Sequence, residues 1–95
     1  MAKDKYKVID DSGVTFFFKY DPDDPEQLHI YVRHLTTIDD ALETFFEGKT
    51  SHNKQRQRYE TYTSTHGLYW FWLNQATKKV MIITCFTLEA GRYES

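Results

Sequence analysis

The sequence predicts an α+β fold: a curved antiparallel sheet of about six strands, ordered β-β-β-α-β-β-β, with one amphipathic helix packed on it. Three observations lead there. Aromatic residues (seven Phe, seven Tyr and two Trp) stand in short runs that alternate with period two, as strands do. One segment, from Thr36 to Gly48, carries helix caps around an apolar stripe of helical period. Two late segments, Leu68–Leu73 and Val80–Phe86, are apolar on both strand faces, which central strands tolerate and edge strands do not.

The first two strands form a hairpin. Tyr6-Lys7-Val8-Ile9 is followed by Asp10-Asp11-Ser12-Gly13, a turn-forming cluster, and then by Val14–Tyr20, which sets Val14, Phe16, Phe18 and Tyr20 on one face. Asp21–Glu26 holds two prolines and four acids, so it reads as an exposed acidic loop. Leu28–Leu35 alternates again, with Leu28, Ile30 and Val32 inward, and reads as a third strand.

The helix is set by Thr36 or Thr37 at its start, each with an Asp three residues on, in the manner of a capping box. Ile38, Ala41, Leu42, Phe45 and Phe46 make its buried stripe, and Gly48 ends it. A polar connector, Lys49–Asn53, leads to three further strands: Lys54–Thr63, Gly67–Asn74 and Lys79–Leu88. The 95 residues make a single domain, 1–95, with 1–4 and 89–95 expected to fray.

Composition narrows the function classes. The lone Cys85 lies in an apolar run and reads as a reduced core thiol, pointing to a cytoplasmic setting. The charged start lacks an apolar signal region, and no stretch is long enough to span a bilayer. No metal-ligand spacing is present among His29, His34, His52 and His66, and no phosphate-binding or nucleophile motif occurs, so no metal or cofactor is expected. Residues 1–48 hold eleven acids against five bases and residues 49–95 three against seven, within a net charge of −2.

Four constellations carry the functional expectations. Lys54, Arg56 and Arg58, at i, i+2 and i+4 of a strand, would form a row of cations suited to an anionic partner. Trp70 and Trp72 share one strand face and Tyr69 and Phe71 the other, and one helix cannot cover both. Asp21, Asp23 and Asp24 could imitate a phosphate array, as small acidic inhibitors from phages and plasmids do. His29, Arg58, Tyr62 and His66 are the raw materials of metal-independent RNA cleavage.

In element order alone, residues 28–88 resemble the compact RelE- and colicin-type ribonuclease toxins, a helix followed by a three-stranded meander. The resemblance implies an endoribonuclease. The composition favours a non-enzymatic binding or regulatory module instead, since such toxins are basic and this chain is slightly acidic. The expected partner is a macromolecule, protein ahead of nucleic acid, with a homodimer through the second sheet face as a further possibility.

Overall fold

A computed structural model describes residues 5–88. The termini expected to fray, 1–4 and 89–95, lie outside the described residues. The elements are β1 (Tyr6–Asp11), β2 (Val14–Lys19), α1 (His29–His34), α2 (Ile38–Glu47), β3 (Lys49–Asn53), β4 (Arg58–Tyr62), β5 (His66–Asn74) and β6 (Lys79–Thr87). Among the described residues the small α+β domain with six strands is as the sequence predicts, but the helices number two, and the sheet is mixed rather than antiparallel.

The strand order is β1-β2-β6-β5-β4-β3. β1 and β2 form a hairpin whose turn residues, Ser12 (φ 53°) and Gly13 (φ 81°), both lie in the left-handed region. That is the turn whose twist suits a two-residue hairpin. β3 to β6 form an antiparallel meander, and β6 returns beside β2 in parallel. A parallel pair needs a long connection, and the acidic loop, two helices and three strands supply it.

Two boundaries differ from the sequence expectation, each for a physical reason. Residues 28–35 are not a third strand; they contain α1, with only Ile30 buried. β2 pairs β6 only from Lys79 to Ile82, so the rest of β6 needs another neighbour. The α1 region supplies it: the Thr36 hydroxyl donates to the carbonyls of Cys85 (2.8 Å) and Ile30 (3.0 Å). A helix also brings His29 and Arg33 one turn apart, within reach of one carboxylate, Asp21. On a strand they would sit about 13 Å apart.

The second difference is at Lys49–Asn53, which is strand β3 and not a connector. Its neighbour Lys54–Gln57 is the loop, held by Asn53 Oδ1, which accepts from the Arg56 N–H at 3.1 Å. Consequently Lys54 and Arg56 sit in the turn, Arg58 alone on β4, and the strand-borne row of three cations does not form. The outline of a helix and three strands becomes two helices and four strands.

Helix α2 has the start and stripe that the sequence predicts, but two details differ: Gly48 ends it in an extended conformation (φ −80°, ψ 170°) and not the left-handed one expected of a terminal glycine, and Phe46 at the rim of the stripe stays 46 % exposed. Thr37 caps it in a reciprocal box with Asp40, the Asp40 N–H reaching Thr37 Oγ1 and the Thr37 N–H reaching Asp40 Oδ2. Its stripe meets one sheet face. Phe45 lies edge-on to Phe16 and Trp70, both at 4.9 Å between ring centres, in a core completed by Phe18, Leu68, Val80, Ile82 and Cys85. Burial holds the Cys85 thiol up at about 11, in keeping with a core thiol.

Candidate functional site

The helices cover one sheet face and leave the other open. On the covered face stand Val14, Phe16 and Phe18 of β2, Val80, Ile82 and Cys85 of β6, Leu68 and Trp70 of β5, and Thr61 of β4. Strand alternation sends the intervening residues to the opposite face. Register aligns four of them across four strands: Val8 opposite Phe17, Phe17 opposite Met81, and Met81 opposite Phe71. The helix contacts described are to β2, β4, β5 and β6, and within this row Phe17, Met81 and Phe71 are half-buried. Val8 is 49 % exposed, and Tyr6 beside it 36 %, its ring edge-on to Phe17 at 6.5 Å.

The same face continues onto β4 as a polar-aromatic cluster. The Arg58 guanidinium lies 3.7 Å above the Tyr69 ring and 2.9 Å from the Glu60 carboxylate. Glu60 also accepts from Asn53 Nδ2 at 3.0 Å and from the Tyr62 hydroxyl at 3.5 Å, and the Tyr62 and Tyr69 hydroxyls are 3.3 Å apart. Burial pushes the Glu60 carboxyl up, but the bonds from Asn53 and Arg58 and the Arg58 charge bring it net below 4.5. The cluster closes on Phe86, whose ring is 5.0 Å from Tyr69. At Gly67 an added Cβ would come within 2.5 Å of the Phe86 ring, so only glycine allows this packing.

The sequence-derived candidates are distributed unevenly. Trp70, expected at a contact surface, is 4 % exposed beneath α2, stacked on Tyr59 at 4.6 Å, its indole N–H donating to Thr61 Oγ1 at 2.9 Å. Trp72 is half-buried on that covered face, edge-on to Trp70. Tyr69 and Phe71, the pair on the opposite face, are half-buried. The apolarity of β5 and β6 on both faces signalled one uncovered face. Which face it was depends on α2, which strand alternation alone does not reveal.

The acidic loop is partly a structural latch. Asp21 is buried, accepts from Arg33 Nε at 3.0 Å and from the Asp23 and Asp24 N–H groups, and lies 3.6 Å from His29. Burial raises its carboxyl, yet Arg33, the Asp23 N–H and His29 hold it net below 3.8. Asp23 pairs with Arg33 Nη2 at 2.6 Å. Two of the three acids offered as a phosphate array are thus already engaged by one guanidinium.

Of the four residues considered for RNA cleavage, Arg58 and Tyr62 come together around Glu60. His66 stands on the covered face, its Nδ1 2.8 Å from Thr65 Oγ1 and its Nε2 3.8 Å from Asp40. His29 belongs to the Asp21 latch. Its neighbour His34 is held below 6.5 by burial and by the nearby His29. A groove of 620 Å³ runs between α2 and the β4–β5 turn, lined by Asp40, Glu43, Glu47, Lys49, Tyr62 and His66. Among the described residues no group of three or more His, Cys, Asp or Glu is placed to hold a metal ion. None of the helices among them is long and apolar enough to cross a membrane. No family model, no curated protein and no solved structure matches the chain.

Proposed function

We propose that this domain is a non-enzymatic binding or regulatory module that engages a protein partner through the open face of its sheet. The observation that carries the reading is the row Val8, Phe17, Met81 and Phe71, four apolar side chains in register over four strands, Val8 exposed and the other three half-buried. A contiguous apolar patch of this kind marks contact surfaces in small proteins. The flanking Arg58, Tyr69 and Tyr62 have the composition of an interface margin, where Arg and Tyr are enriched. Arg58 is already neutralised by Glu60, which favours a protein over a polyanion. The buried Cys85 thiol supports a cytoplasmic setting.

A photo-crosslinking amino acid placed at Phe17, at Phe71 and, as control, at Lys54 tests the reading in cells of the native host. Crosslinks from positions 17 and 71 to a discrete protein, with none from position 54, are the expected result. Crosslinks confined to position 54, or to nucleic acid, would overturn it. A crosslink to a second copy of the chain would identify the partner as itself, in a face-to-face dimer.

A further inference from the structure

The two edges of the sheet are built differently. β3, at one end, is Lys-Thr-Ser-His-Asn, polar throughout and exposed at nearly every position. A polar edge of this kind resists further strand pairing. β1, at the other end, is Tyr-Lys-Val-Ile-Asp-Asp, with two β-branched apolar residues at its centre. Its outward backbone groups can be identified. The Thr15 N–H donates to Lys78 on the β6 side of β2, so Val14, Phe16 and Phe18 are the β2 residues that exchange bonds with β1. Their partners are Asp11, Ile9 and Lys7. The N–H and C=O groups of Tyr6, Val8 and Asp10 therefore point away from β2, and no strand among the described residues pairs with that side.

The geometry points to a second copy of this chain as the occupant: two β1 strands pair antiparallel about a two-fold axis at Val8, joining two six-stranded sheets into one of twelve strands. This inference is independent of the protein-partner reading, because edge pairing leaves the sheet face free. A two-fold axis normal to the sheet puts like faces on one side, which restricts the pairing to registers that match residues of the same strand face. In the register centred on Val8, Val8 meets Val8 and Tyr6 meets Asp10 in each direction, all of them residues with outward backbone groups. About six interchain hydrogen bonds result. The register centred on Ile9 pairs Val8 with Asp10 and brings Tyr6 against the left-handed turn residue Ser12, so it forms fewer.

Charge agrees with this choice. On the helix side, Asp11 of one copy falls opposite Lys5 and diagonal to Lys7 of the other, and no like charges face each other. The apolar rows also become continuous. Phe71, Met81, Phe17 and Val8 of one copy run into Val8, Phe17, Met81 and Phe71 of the other, eight side chains across the joined sheets.

Sedimentation equilibrium of the full chain, with a cysteine crosslink, tests the inference. The wild-type protein is expected to be a dimer, and V8C to oxidise to a covalent dimer, because facing Cα atoms about 5.5 Å apart come within disulfide reach after a small local shift. S51C, on the opposite edge, should not crosslink. V8K sets two cations face to face and should raise the dimer dissociation constant about tenfold or more. F71K, on the open face away from the edge, should leave it unchanged, and circular dichroism reports whether each variant is folded. A wild-type monomer at high micromolar concentration overturns the inference. So does a dimer that dissociates in F71K and persists in V8K, which would place the contact between sheet faces.

Discussion

The two faces of the sheet use the same residue types for opposite ends. Phe16 and Phe17 are adjacent on β2, yet Phe16 is fully buried between Phe45 and Phe46 while Phe17 lies in the uncovered row with Val8 and Met81. Trp70 and Phe71 repeat the contrast on β5. Aromatic content alone therefore does not locate a core. The position of α2 decides which set of side chains folding removes most fully from water and which stays partly accessible, and α2 is fixed by its own caps and stripe. The difference bears on stability: one face should carry the cost of truncation, and the other should tolerate it.

That contrast can be broken most forcefully at the neighbouring phenylalanines. Phe16→Ala should lose about 3–5 kcal/mol of unfolding free energy through lost burial and a residual cavity. Phe17→Ala should lose about 1 kcal/mol or less, as partly exposed positions do. Urea unfolding of the two variants checks the difference, and equal losses would mean that both faces are packed. Next in size is Thr61→Val on the covered face. It removes the acceptor of the Trp70 indole N–H and the partner of the Thr50 hydroxyl, and should cost about 1–3 kcal/mol by leaving a buried donor unpaired.

Acid should act at the latch beside the sheet. Because the folded-state pKa of Asp21 lies below 3.8, its contribution is fully present above that value and is lost as pH falls through the folded value. Glu60 on the open face acts in the same direction below 4.5. Unfolding midpoints followed downward through the carboxylate range should fall for the wild type. The slope should be shallower in Asp21→Asn, which has no proton to take up at that position. The smallest expected effect is a gain. Leu35 follows α1 with φ 56° and is 75 % exposed, so its left-handed backbone strains a side chain that packs on little. Leu35→Gly should relieve that strain and raise stability by about 0.5 kcal/mol, net of the freedom glycine adds to the unfolded chain. A loss there would show that the Leu35 side chain has a packing partner.

Much of this architecture was legible in the residues. The hairpin at Ser12–Gly13, the capping box at Thr37, the helix stripe and the β5–β6 pair follow from local pattern and turn chemistry. What escaped has non-local causes. Alternation in His-Ile-Tyr-Val-Arg-His imitates a strand, and only the unfilled β6 edge and the Asp21 carboxylate make it a helix. Lys49–Asn53 has no apolar period because an edge strand exposes most of its residues, so it reads as a connector. The parallel pairing of β2 with β6 joins segments some sixty residues apart in sequence, which no local pattern encodes. At the candidate site the two-faced apolarity of β5 and β6 was visible. The row through Val8, Phe17, Met81 and Phe71 needed the strand order to assemble it, and the cation row failed because Lys54 and Arg56 belong to a turn.

Met81 and Ile82, neighbours on β6, face different environments: Met81 on the open face and Ile82 in the core, where it is 2 % exposed. Broadening of methyl resonances by a soluble paramagnetic agent measures this directly in the isolated protein. Strong broadening of the Met81 methyl group, with the Ile82 methyl groups protected, is the expected result. Equal protection of the two would mean that the second sheet face is covered like the first.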